Sequence, residues 1–201
     1  MTRTHPRFRS IRDRPLECRR GGSLIQARLV LDALRREQVT HVVALPDNAS
    51  AALLTLLAAE GSPRVVGVTR EGEAFALASG LWVGGANPVV LIQNTGLLES
   101  GDALRGTAMR MRVPLVCLVT YRGYASLAAF PERTGRPDAD ALSRPDVDST
   151  ALLTEPTLAA WGIPYTFLHR DEDVPHIAEA FRQAALLEQP VVLLIPGATT
   201  A

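Results

Sequence analysis

Residues 68–80 read Val68-Thr69-Arg70-Glu71-Gly72-Glu73-Ala74-Phe75-Ala76-Leu77-Ala78-Ser79-Gly80, and the pattern changes at Arg70. Before it lies the end of an apolar run, Arg64 to Val68, that fits a strand. After it, small residues recur at Ala74, Ala76, Ala78 and Gly80, which lets a helix lie close against a sheet or another helix. A strand hands over to a helix, and Glu71 stands in the first helical turn. In an open α/β sheet that junction is where ligands bind, in the crevice outside the carboxyl ends of the strands. The helix dipole alone also favours a carboxylate there. Position by itself leaves Glu71 two readings, a helix-end charge and a chemical group.

The same alternation runs outward in both directions. Ser23 is a suitable N-cap, and Leu24, Ala27, Leu31 and Leu34 at helical spacing predict a helix to about Gln38. Thr40–Leu45 reads as a buried strand, broken by Pro46-Asp47-Asn48, and a helix follows to about Gly61. Arg64–Thr69 and Pro88–Gln93 are further strands, with the helix Glu71–Gly84 between them. Asn94-Thr95-Gly96 reads as a turn, Ser100–Met111 as a helix and Pro114–Tyr121 as a strand. Periodicity then disappears from Arg122 to about Asp148, a long loop of the kind that is functional or disordered. Thr150–Trp161 and Asp171–Leu187 read as helices, Pro164–Leu168 and Pro190–Ile195 as strands, and Pro196-Gly197 ends the last. Continuously apolar strands alternating with helices predict an α/β, doubly wound, six-stranded, mainly parallel sheet with helices on both faces.

Composition narrows the function classes. A chain of 201 residues fits one domain, here residues 23–201, preceded by a flexible tail over 1–22 that carries seven arginines. Basic and acidic residues balance at 21 each, so no overall field draws nucleic acid or a membrane surface. Lysine is absent, and we have no functional account of that. Cys18 and Cys117 make no disulfide framework, no apolar run reaches the length of a membrane span, and the basic start lacks a signal-peptide core. The expectation is a cytoplasmic protein.

In a parallel sheet four polar groups converge on one rim: Pro46-Asp47-Asn48, Arg70-Glu71, Gln93-Asn94-Thr95-Gly96 and Tyr121-Arg122-Gly123. His5, His41, His169 and His176 are scattered and fit neither a metal site nor a catalytic triad, so no metal ligand is expected on this chain. Neither a P-loop nor a dinucleotide fingerprint is present. Asn-Thr-Gly is also simply a good turn, and Arg122 also suits a solvated position. Glu71 and Glu73 lie about 200° apart around a helix, so both cannot face one pocket.

The spacing Glu71, Ala74, Ala78, Gly80 resembles the E-x-x-A-x-x-x-A-x-G signature of the pyrimidine-binding (Pyr) domain of thiamine diphosphate enzymes. Pro46-Asp47-Asn48, Glu71-Gly72, Gln93-Asn94-Thr95-Gly96-Leu97, Pro114-Leu115, Arg122-Gly123 and Gly162-Ile163-Pro164-Tyr165 resemble, in order, the sulfopyruvate and phosphonopyruvate decarboxylases. The resemblance covers roughly residues 24–196. It implies that Glu71 hydrogen-bonds the pyrimidine ring nitrogen of the cofactor and favours the imino tautomer that deprotonates the thiazolium carbon. It implies that Pro46, Asp47, Asn48, Gln93, Asn94, Thr95 and Gly96 line the cofactor site, and that Arg70 and Arg122 meet an acidic 2-oxo acid substrate. The spacing to Ala74 and Gly80 selects Glu71, and leaves Glu73 at a subunit surface or solvated.

A complete enzyme of that family also carries a diphosphate- and Mg2+-binding domain marked by G-D-G and a later Asn. Here Gly101-Asp102 is followed by Ala103, and no Asn occurs after Asn94. The resemblance therefore implies an α subunit whose active site is shared with a separate diphosphate-binding β subunit, in a dimer of heterodimers or larger. Thiamine diphosphate would bind between them, with Mg2+ held by the partner. Two departures bear on substrate: Gly96-Leu97-Leu98-Glu99 replaces the family's G-L-G-N, and residues 124–149 contain no His. A carboligase or synthase subunit, or a regulatory subunit that kept the fold without the chemistry, stands as the alternative.

Overall fold

A computed structural model describes residues 24–129 and 137–201; the arginine-rich tail expected over 1–22, and Ser23, lie outside the described residues. The main sheet has six strands, β2 (His41–Ala44), β3 (Arg64–Gly67), β4 (Pro88–Gln93), β5 (Val116–Thr120), β6 (Tyr165–Phe167) and β7 (Val191–Ile195). Their order is β3-β2-β4-β5-β7-β6, and every neighbouring pair is parallel. The doubly wound expectation holds.

Successive strand residues feed opposite faces. Val43, Val90, Ile92, Cys117, Val119, Val192 and Leu194 pack on one side, with α3 (Glu71–Val83), α4 (Asn94–Glu99), a π-helical segment (Leu104–Met109) and α7 (Ser149–Trp161). Val42, Ala44, Val89, Leu91, Val116, Leu118, Val191 and Leu193 pack on the other, with α1 (Ala27–Arg36), α2 (Ala51–Glu60) and α8 (His176–Leu187). Each fully buried Val, Leu or Ile contributes about 1.5–3 kcal/mol, so burial on both faces explains why the strands read as unbroken apolar runs. Strand β3 is the exception. It is an edge strand with exposed positions, and it reads as apolar only in Val65 and Val66. In α3 the small residues do what their spacing predicts: Ala74, Phe75 and Ala78 are fully buried. Leu77, Trp82 and Val83, on the same helix, are exposed.

Several expected elements differ. Leu24-Ile25-Gln26 does not open a helix; it is β1 (Leu24–Gln26), paired in parallel with β8 (Ala198–Thr200) in a second, two-stranded sheet. Three residues are too short to show a period. Asn94-Thr95-Gly96 is not a turn but the first turn of α4, which leaves β4 without a linker. The Asn94 side chain, which in a turn can bond its own local backbone, bonds the Arg122 backbone across the sheet edge instead. The expected helix Ser100–Met111 is split into α5 (Gly101–Ala103) and the π segment. The loop 122–149 holds a 3-10 helix, Tyr124–Ala129, and α6 (Ala139–Leu142); residues 130–136 of it lie outside the described residues. Pro175 separates a 3-10 turn, Asp171–Asp173, from α8.

Candidate active site

The carboxyl ends of β2, β4, β5 and β7 form one rim, and the connections leave it in opposite senses. From β2 the chain runs to α2, on one face, and on to the edge strand β3; from β4 it runs to α4, on the other face, and on to β5. A crevice at such a reversal is the binding place of doubly wound sheets. A cleft of about 570 Å3 lies there. Asn48, Gln93 and Arg122 line it together with Thr120, Tyr124 and the segment Pro196–Ala198.

Some rim residues act on the chain itself. Asp47 Oδ1 accepts from the amides of Ala49 (2.6 Å) and Ser50 (3.0 Å), and its Oδ2 accepts from Thr120 Oγ1 at 2.8 Å. That carboxylate shapes the loop after β2 and ties it to the end of β5. Asn94 is fully buried. Its Nδ2 donates to the Arg122 carbonyl (3.1 Å) and Thr154 Oγ1 (3.0 Å), and its Oδ1 accepts from the Arg122 amide at 3.1 Å. One amide side chain thus holds the backbone of Arg122 in both directions, as a neighbouring strand would. Gln93, one residue earlier, is half-buried, and among the described residues its Oε1 accepts only from Thr95 Oγ1, at 3.1 Å. Pro46 is exposed.

Arg122 is exposed at the mouth of the cleft, with Nε 3.2 Å from Asp148 Oδ2. Asp148 caps α7 by accepting from the Thr150 amide at 2.9 Å. Gly123, at φ +77°, passes so close to Asp148 that a β-carbon would sit 2.4 Å from its Cβ. This packing fixes where Arg122 leaves the rim.

Three carboxylates gather at the start of α3. Glu73 accepts from the amides of Thr69 (2.9 Å) and Arg70 (3.3 Å) and from Thr69 Oγ1 (3.0 Å), a capping arrangement. Those bonds, the Thr69 amide first, hold its carboxyl below the usual range. Glu99, at the end of α4, accepts from the Gly72 amide at 3.1 Å and pairs with Arg70. Arg70 therefore faces α4 rather than the cleft, and the Glu99 carboxylate raises its pKa further. Glu71 differs from both. Among the described residues its carboxylate takes no hydrogen bond and no ion pair, and its side chain rests half-buried on Gly96. Glu71 does not line the cleft wall; it packs against Gly96, in the first turn of α4.

Sequence reasoning did not place Thr120, Tyr124 or Pro196–Ala198 at the site, and it met Glu99 only as a departure from the family pattern. The parallel sheet could have found the third, because β7 ends on the same rim as β2, β4 and β5. The pairing of Glu99 with Arg70 gave no signal, since only the fold brings the two together. Among the described residues no cluster of His, Cys, Asp or Glu could hold a metal ion, and no helix is long and apolar enough to cross a membrane.

The arrangement is thus a doubly wound sheet with a glutamate, unpartnered among the described residues, at a strand-to-helix junction. The chain belongs to the thiamine pyrophosphate enzymes: the family's N-terminal TPP binding domain matches residues 26–142. It is 29% identical over 159 residues to phosphonopyruvate decarboxylase of Streptomyces hygroscopicus, covering 72% of this chain and 40% of that protein. It is 24% identical over 94 residues to sulfopyruvate decarboxylase subunit alpha of Methanocaldococcus jannaschii, covering 47% of this chain and 56% of that protein. The solved structure of benzoylformate decarboxylase from Polynucleobacter necessarius shares the fold, with a TM-score of 0.57 at 22% identity over 85% of this chain and 29% of that one. The chain thus spans about 40–56% of the length of these two curated relatives.

Proposed function

We propose that the chain is the α (Pyr) subunit of a two-chain thiamine diphosphate-dependent decarboxylase. It would act in the cytoplasm on a 2-oxo acid of the sulfopyruvate or phosphonopyruvate type. The observation that carries this reading is the Glu71 carboxylate: left without a partner among the described residues, half-buried, and carried on a helix whose other acid, Glu73, is engaged. A ring nitrogen needs such a group to share a proton with it. Thiamine diphosphate, when bound, supplies the carbon nucleophile and the electron sink for loss of CO2. The rest is the work of this chain's residues. Glu71 holds a proton against the pyrimidine. Gly96 gives its side chain room, and Arg70 forms its ion pair with Glu99 instead. Gln93 and Asn48 present polar groups to the cleft, while Asp47 and Asn94 hold the loops that carry their neighbours. Arg122, steadied by Asp148, offers a cation at the mouth for an acidic substrate.

The names of the relatives support the substrate class, and the printed name "subunit alpha" of the Methanocaldococcus jannaschii protein supports a partner. The partner would hold the diphosphate and Mg2+. The test is affinity purification of the tagged chain from its native cell, with intact mass and thiamine diphosphate assay of the eluate. A companion bearing G-D-G and a later Asn, with cofactor and Mg2+ bound, is expected. Recovery of this chain alone and free of cofactor would overturn the reading.

A further inference from the structure

One wall of the cleft is held from far along the chain. The loop after β2 carries Asn48 and Ala49 into α2, whose N-cap residue, Ser50, makes no side-chain capping bond. The first amides of a helix have no partner within it and need one from elsewhere. Thr199, in the middle of β8, supplies it. Its Oγ1 accepts from the Leu53 amide at 3.3 Å and donates to the Ala49 carbonyl at 2.9 Å. Its own amide donates to the same carbonyl at 2.8 Å. Thr199 is only 6% exposed. A single threonine thus caps α2 and grips the loop before it.

The strand that delivers this cap is itself fixed. Residue for residue, Leu24, Ile25 and Gln26 of β1 pair with Ala198, Thr199 and Thr200. Gln26 then anchors β1 by donating twice to Asp171, from its amide to Oδ1 at 2.9 Å and from Nε2 to Oδ2 at 2.7 Å. Pro196, Gly197 and Ala198, on the approach to β8, line the same cleft as Asn48 and Ala49. Two walls of the cleft therefore meet at Thr199.

We propose that Thr199 is a positioning residue: a helix cap donated by β8 that fixes the Asn48–Ala49 wall and sets the affinity of the rim for what binds there. That affinity is taken to be for thiamine diphosphate, which rests on the function proposed above.

Thr199→Val keeps the volume and removes the hydroxyl; Thr199→Ser keeps the hydroxyl and serves as the rescue. Amide hydrogen exchange on the whole chain reads the clamp without cofactor or partner. In Thr199→Val the Leu53 amide should exchange up to about tenfold faster, with β4 and β5 unchanged, and Thr199→Ser should restore the rate. In the assembled complex, Thr199→Val should raise the half-saturating thiamine diphosphate concentration about three- to tenfold, with kcat at saturation within about twofold of wild type. Thr199→Ser should bind the cofactor as wild type does. An unchanged Leu53 exchange rate in Thr199→Val overturns the proposal. So does faster exchange with unchanged half-saturation. A wild-type complex that binds no thiamine diphosphate would instead sink the functional reading, and the exchange result would then decide the positioning role alone.

Discussion

The side chain of Glu71 lies on the bare α-carbon of Gly96: a β-carbon there would stand 2.1 Å from Glu71 Cγ and 2.4 Å from its Oε1. No real contact is that short, so the glycine and the glutamate are required together. Glycine in a helix is otherwise a cost, about 1 kcal/mol against alanine. Here it is the condition for seating the carboxylate.

Gly96→Ala should therefore behave as overpacking, with a loss of about 1–3 kcal/mol despite alanine's better helix propensity. Glu71→Ala removes the atoms that clash, so the double variant should be more stable than Gly96→Ala alone. A double-mutant cycle by urea denaturation checks this, and simple additivity of the two changes would contradict the contact.

Glu71→Gln keeps the shape of the side chain and abolishes its capacity to share a carboxylic proton. In the assembled complex turnover should fall at least about tenfold, with assembly intact by size-exclusion chromatography. Wild-type turnover would refute the role given to Glu71.

Asn94 and Gln93 should part company under mutation. Asn94→Ala takes from the part-buried Arg122 amide and carbonyl the side chain that holds them, leaves the Thr154 hydroxyl with the Thr150 carbonyl alone, and should destabilise the chain by about 1–3 kcal/mol. Gln93→Ala should stay within about 0.5 kcal/mol of wild type and show its effect in ligand binding. Thermal denaturation and a binding titration separate the two.

Cys117 should be inert in the folded chain. Burial pushes its thiol from 9.0 up to about 12, so the folded state holds its proton where the unfolded chain has lost it. The sign follows: this contribution to stability is fully present below about pH 9 and is lost as pH rises from there towards 12. Mass mapping after alkylation at pH 8 should find Cys117 unmodified in the native chain and labelled in denaturant.

The sequence carried the long-period information well. Val89 to Ile92, Val116 to Val119 and Val191 to Leu194 are apolar at every position because both faces are covered, and that alone implies a parallel, doubly wound sheet. The rim followed from it, because parallel strands put their carboxyl ends together. What escaped was whatever depends on one contact between distant residues. Leu24-Ile25-Gln26 is a strand only because Ala198-Thr199-Thr200 lies beside it. Asn94-Thr95-Gly96 has turn chemistry, yet Asn94 spends its amide on Arg122 and the backbone goes straight into a helix. Glu99 reads as an ordinary surface acid until Arg70 and the Gly72 amide meet it. The rim was legible in the same measure: the convergence of the strand ends could be read, whereas the internal duties of Asp47 and Asn94 could not.

The last residue of β4 and the first of α4 are both amides, and they face different tasks. Gln93 looks into the cleft and holds little; Asn94 is sealed inside and holds the next loop. In the proposed reading, ligand binding and stability are thereby written in adjacent but separate letters. For directed evolution this sets the boundary of a library. Randomising Gln93 and Asn48 would vary the cleft on an intact scaffold, whereas extending the library by one codon to Asn94 would cost most members about 1–3 kcal/mol of stability.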